Sequence, residues 1–69
     1  MNSSVLEGQW RQLRGKIQEE WGDLTDDDLD KVNGKYDQLV GILQQRYGYG
    51  KADAEHRVST FLDSVLERA

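Results

Sequence analysis

Apolar side chains recur along this chain at helical spacing, and glycines and capping residues mark the breaks between the runs. Leu6, Trp10, Leu13, Ile17 and Trp21 are separated by 4, 3, 4 and 4 positions. That spacing lines them on one face of a helix. Ser4-Val5-Leu6-Glu7, just ahead, has the form of a capping box, with Ser4 as N-cap and Glu7 at the third helical position. The predicted first helix therefore runs from Ser4 to about Trp21. Gly22 sits where a helix commonly turns left-handed and stops.

Asp23-Leu24 reads as a short link. Thr25-Asp26-Asp27-Asp28 predicts a second, acidic capping box, in which the Thr25 hydroxyl accepts from the Asp28 backbone N–H. Three carboxylates in the first turn suit the positive end of the helix dipole. Leu29 and Val32 form the inner face of this short helix, and Asn33-Gly34 ends it. A third helix is predicted from Lys35 to Tyr47, with Tyr36, Leu39, Val40, Leu43 and Tyr47 as its stripe. Tyr47-Gly48-Tyr49-Gly50 is a glycine-rich turn. The last helix begins near Lys51 and turns Ala54, Val58, Phe61, Leu62, Val65 and Leu66 inward.

These runs repeat. A shift of 26 positions pairs Gly8 with Gly34, Trp10 with Tyr36, Gln12 with Gln38 and Leu13 with Leu39. The same gap-free register pairs Gly15 with Gly41, Ile17 with Leu43, Gln18 with Gln44 and Trp21 with Tyr47. It continues through Gly22 with Gly48 and Asp27 with Asp53. One helix–turn–helix unit cannot cover its own apolar stripe, whereas two packed face to face can. The expectation is an all-α domain of four helices in two repeated hairpins, about 8–29 and 34–55. Approximate two-fold symmetry would bring the aromatic stripes together in the middle. Trp10, Trp21, Tyr36 and Tyr47 are accordingly expected in the core.

Composition narrows the range of functions. Sixty-nine residues, 36% hydrophobic and 32% charged, make one domain with a small core. Zero cysteines remove disulfides and thiolate sites. A net charge of -4 disfavours phosphate backbones and anionic lipid as partners. No apolar run is long enough to span a membrane, and no basic-then-apolar signal segment follows Met1. The location expected from these features is the cytoplasm.

Several constellations invite chemistry. Asp26, Asp27, Asp28 and Asp30 suggest a calcium loop, but Lys31 stands where an EF-hand loop needs glycine and Asp37 where it needs glutamate. The helix-cap reading is preferred. Gly48-Tyr49-Gly50, followed by Lys51 and Ala54, resembles the turn of helix–hairpin–helix modules, whose backbone N–H groups approach a phosphate. The corresponding turn of the first unit carries Asp23 and Asp26–Asp28, which repel a phosphate backbone, so nucleic acid is the secondary reading. Arg11, Arg14 and Lys16 are mixed with Glu7, Glu19 and Glu20 and read as a solvated face with i,i+4 pairs. His56, the single histidine, reads as a surface residue, and Ser59 and Thr60 beside it do not make a triad. An enzyme is not expected, and neither is a cofactor or a metal.

The glycines are harder to dismiss. Gly8, Gly15 and Gly22 recur every seven residues, as do Gly34, Gly41 and Gly48. The first set lies over a quarter-turn from the apolar stripe at about 100° per residue. Each interior glycine costs about 1 kcal/mol relative to alanine. Gln12, Gly15 and Gln18 recur as Gln38, Gly41 and Gln44. The candidate interaction surface is therefore Gly15, Gly41, Gln12 and Gln38, with Gly48, Gly50 and Lys51 at the turn. Its occupant would be a protein partner or a second copy of the chain. The alternative is that Gly8, Gly22, Gly34 and Gly48 are helix ends and only Gly15 and Gly41 are interior. The asymmetry between Thr25–Asp28 and Lys51–Ala54 is a second place to look for recognition.

Taken together, these blocks resemble a known family. Gly8-x-Trp10-x-Gln12-Leu13-x-Gly15-Lys16 is followed by Trp21-Gly22-x-Leu24-Thr25-Asp26-Asp27-Asp28-Leu29. Then come Gly34-Lys35-x-Asp37-Gln38-Leu39-Val40-Gly41 and Arg46-Tyr47-Gly48-Tyr49. The pattern is similar to that of the CsbD-like proteins and covers about Leu6 to Glu55. The resemblance implies a bacterial cytoplasmic protein of the general stress response, with a small SAM-domain-like helical fold. It carries over no catalytic or binding residue. The chain departs from the family pattern at Gly50, where a polar residue is more usual, and its tail after Glu55 is unusually apolar. The function expected is non-enzymatic, through protein interaction or abundance; a hydrophilic, conditionally ordered protectant fits the mean hydropathy of -0.83.

Overall fold

A computed structural model describes residues 3–67, with the side chains of Ser3 and Ser4 outside the described part. Five helices are present among the described residues: α1 (Ser3–Gly8), α2 (Trp10–Glu20), α3 (Asp26–Val32), α4 (Tyr36–Tyr47) and α5 (Lys51–Glu67). The all-α expectation holds. The count of four does not, because the expected first helix is two. Ser4, expected as an N-cap, has helical backbone within α1, and its side chain lies outside the described part.

The break falls at Gln9, with φ -115° and ψ 23°. Its N–H still donates to the Val5 carbonyl at 3.0 Å, closing α1. Its own carbonyl accepts from Leu13 at 2.9 Å and opens α2. Gly8, a weak helix former, permits the elbow, and packing demands it. Gly34, at φ +83°, is wedged against this corner, and a Cβ there would stand 3.0 Å from the Glu7 Cα. The elbow lets α1 lie against α4, and Leu6 is fully buried.

The exit from α2 also differs from expectation. Gly22 does not have a positive φ. The turn is made by Trp21 (φ -121°, ψ 83°), whose N–H donates to the Ile17 carbonyl at 2.8 Å. Leu24 then donates to the Trp21 carbonyl at 3.1 Å. This tight reversal plunges Leu24 into the core, while Asp23 beside it stays exposed. A left-handed glycine would point the chain elsewhere, and burial of Leu24 decides the matter.

The other ends are as the sequence predicts. Asn33 (φ 44°) and Gly34 close α3 in left-handed geometry, and Gly48 (φ 72°) closes α4. Without a Cβ, glycine takes these angles at no steric cost.

Helix α4 is the hub, packing closely against α1, α3 and α5. The stripe of α2 joins the same core through long side chains: Trp10, Leu13, Ile17 and Trp21 are all buried. The two stripes are not equivalent. Both tryptophans are core residues, whereas Tyr36 and Tyr47 are half-buried and pack on the core's edge. Trp21 meets Phe61 of α5 with ring centroids 5.2 Å apart. The radius of gyration, 10.8 Å, matches the roughly 11 Å expected of a folded chain this long.

Candidate interaction surface

The polar residues with the most constrained surroundings cluster where α3 begins and α4 ends. The Thr25 hydroxyl accepts from the Asp28 N–H at 3.1 Å, and an Asp28 carboxylate oxygen accepts from the Thr25 N–H at 3.1 Å. This is the reciprocal cap predicted from the sequence. Asp28 has a second role. Its carboxylate also accepts both arms of Arg46, Nη2 at 2.9 Å and Nε at 3.0 Å. The carboxylate is 2% exposed while the Arg46 side chain is 45% exposed. The hydrogen bonds from Arg46, and then from the Thr25 backbone, hold the Asp28 carboxyl down at about 2. Burial opposes this and is outweighed. Reciprocally, Asp28 raises the Arg46 pKa.

The neighbouring turn is fastened by aromatic groups. The Tyr47 hydroxyl accepts from the Asp23 N–H at 3.1 Å, and Gln18 Nε2 donates to the Leu24 carbonyl at 3.2 Å. The Tyr47 ring stacks on Tyr49 at 5.3 Å and 9°. The Arg57 guanidinium lies 4.2 Å from the Tyr49 centroid and donates to Asp53 at 3.2 Å. On the other side, the Tyr36 hydroxyl sits 3.5 Å from the Glu55 carbonyl, and its pKa is raised by burial and by the charges of Glu55 and Asp37.

Between α2 and α5 runs an open groove of about 650 Å³. Lys16, Glu19, Glu20 and Trp21 form its α2 wall. Asp53, His56, Arg57 and Thr60 form the α5 wall, with Phe61 and Val65 at the floor. Exposed His56 belongs to this groove, consistent with its reading as a surface residue.

The residues singled out from sequence do not converge on one place. Gly15 is exposed in α2 and Gly41 half-buried in α4, and a Cβ on either would meet nothing within 4 Å. Gln12 and Gln38 are exposed on α2 and α4. Gly48 caps α4, Gly50 is exposed, and Lys51 is the exposed first residue of α5. The basic run behaves differently from expectation. Arg14 reaches across to Asp30 of α3 at 3.1 Å, and no i,i+4 pair forms within the run among the described residues.

Sequence reasoning passed over Arg46 and the burial of Asp28. A signal existed. The 26-residue register sets Asp28 over Ala54, a position read as inward. A carboxylate in an inward position needs a cation, and Arg46 is where α4 returns to it.

The geometry defines a small helical protein whose distinctive polar contacts hold its own turns together. Residues 5–56 match the CsbD-like family, and the chain belongs to it. A UPF0337 protein of Pseudomonas aeruginosa is 57% identical over 65 residues, covering 94% of this chain and all of the relative. A UPF0337 protein of Pectobacterium atrosepticum is 52% identical, covering 91% of each chain. The UPF0337 protein YjbJ of Escherichia coli K12 is 53% identical over 58 residues, 84% of each chain. The family is one of the general stress response without an assigned molecular activity. Among the described residues, no helix is long and apolar enough to cross a membrane.

Proposed function

We propose that this chain is a non-enzymatic, cytoplasmic stress-response protein that works by binding another protein, with abundance alone as the alternative. The observation that supports binding is the α2–α5 groove. Its floor is aromatic and aliphatic, and its rim carries both signs of charge. An apolar centre inside a polar rim is the anatomy of a protein interface. The SAM-domain-like pairing of two repeated hairpins belongs to the same reading.

Crosslinking pull-down from stressed cells tests it, run beside a Thr60→Arg variant that fills the groove from an exposed position. A defined partner captured by the natural chain and lost by the variant supports binding. Identical captures from both leave abundance as the explanation.

Nucleic-acid binding at Gly48–Lys51 is the weaker reading. The turn is exposed at the start of a 17-residue helix, but the Tyr49 ring is already engaged by Tyr47 and Arg57. Anisotropy with labelled DNA at low salt decides it, since phosphate contacts are strongest there.

A further inference from the structure

The geometry points to the α2 wall of the groove, Lys16 with Glu19 and Glu20, as a self-complementary surface on which a second copy of this chain docks about a two-fold axis. This rests on the interaction reading above and names the partner. Lys16 precedes the two carboxylates by three and four residues, about one helical turn. Within one helix, that order is the less favourable one, because carboxylate-before-cation pairs are preferred. Neither carboxylate comes within ion-pair distance of Lys16 among the described residues. Neighbouring cations are already committed: Arg14 to Asp30 at 3.1 Å and Arg57 to Asp53 at 3.2 Å.

Lys16, Glu19 and Glu20 are all exposed and line the same groove, beside the Trp21–Phe61 contact and half-buried Val65. A uniformly basic partner would be repelled by Lys16, and a uniformly acidic one by Glu19 and Glu20. A partner must carry the alternation in reverse. A second copy does so automatically. Two antiparallel α2 helices crossing near Gln18 set each Lys16 against the partner's Glu19 and Glu20, and symmetry satisfies both sets together. Behind them, Trp21 and Phe61 are already buried within each chain, and half-buried Val65 is the apolar side chain of the floor that can still lose water.

Sedimentation of the purified full chain over a concentration series tests the pairing. The expected result is a monomer–dimer equilibrium that weakens about tenfold between low and high salt. Lys16→Glu, and separately Glu19→Lys with Glu20→Lys, leave the chain monomeric where the natural protein is half dimeric. An equimolar mixture of the two variants restores dimer, now as a heterodimer. All three positions are exposed, so thermal melts should match the natural chain. A natural chain that stays monomeric at low salt overturns the inference, as does a dimer indifferent to both charge reversals. Either result leaves the pull-down free to find a different partner for the groove, so the two readings fail separately.

Discussion

Asp28 and Arg46 join the start of α3 to the end of α4 through two parallel hydrogen bonds of 2.9 and 3.0 Å. The two residues are eighteen positions apart. Their pairing converts a local helix cap into a tertiary tie. One Asp28 oxygen serves both purposes, accepting from the Thr25 N–H and from Arg46 Nε.

That tie sets an acid limit. The Asp28 carboxyl titrates at about 2 in the folded chain against an ordinary 3.8. A lowered carboxyl pKa stabilises the fold fully above the ordinary value, and the contribution is lost as pH falls from there through about 2. Circular-dichroism melts from pH 7 to pH 2 should show this loss in the natural chain. Asp28→Asn should be less stable at neutral pH and should lose the part of the acid limb that Asp28 supplies. An unchanged acid limb in the variant would remove Asp28 from its cause.

The cap can be separated from the ion pair. Thr25→Ala deletes the acceptor for the Asp28 N–H but leaves the carboxylate to Arg46. The expected cost is about 1 kcal/mol, a typical helix cap. In a domain of this size that lowers Tm by about 4–8 °C. A melt within 1 °C of the natural chain, with ~1 °C taken as measurement error, would contradict the cap's role.

The glycines should sort by conformation. Gly15→Ala adds a Cβ into open space in a helix interior and should stabilise by up to about 1 kcal/mol. Gly41→Ala should follow it. Gly34→Ala should go the other way, by about 1–3 kcal/mol, because its φ of +83° and the 3.0 Å approach to Glu7 both exclude a side chain. Denaturant titrations of the three variants check the signs. Stabilised Gly15→Ala and Gly41→Ala chains with unaltered association would show that these glycines are not the binding surface.

Leu24 offers the sharpest test of the fold. It is 2% exposed although it lies outside any helix, in the link between α2 and α3. Leu24→Ala should cost about 2–5 kcal/mol. The whole domain's stability is on the order of a few kcal/mol, so much of the variant should be unfolded at 25 °C by circular dichroism. A mild effect would mean that the turn at Trp21 does not bury Leu24.

Local order was legible in the chain because it is written in short-range terms. Helical spacing of Leu13, Ile17 and Trp21, the Thr25–Asp28 cap, the break at Asn33-Gly34 and the start at Lys51 each depend on residues within a turn of one another. All appear in the structure. The 26-residue register likewise placed the tryptophans as scaffold, and both are buried.

The candidate site was less legible, since it depends on which faces meet. Nothing within a turn of Gly8 reveals that Gly34 packs close to Glu7, beside the break of the first helix at Gln9. Nothing near Trp21 shows that the chain reverses there to bury Leu24, displacing the turn expected at Gly22. Lys16 and His56 are forty residues apart, and only the packing of α2 beside α5 makes them walls of one groove. Periodicity and capping, being local, were determined by the sequence itself. The kink, the ion pair at buried Asp28 and the groove were decided by tertiary structure, because close packing chooses among several locally acceptable backbones the one that fills the core and leaves no buried charge unpaired.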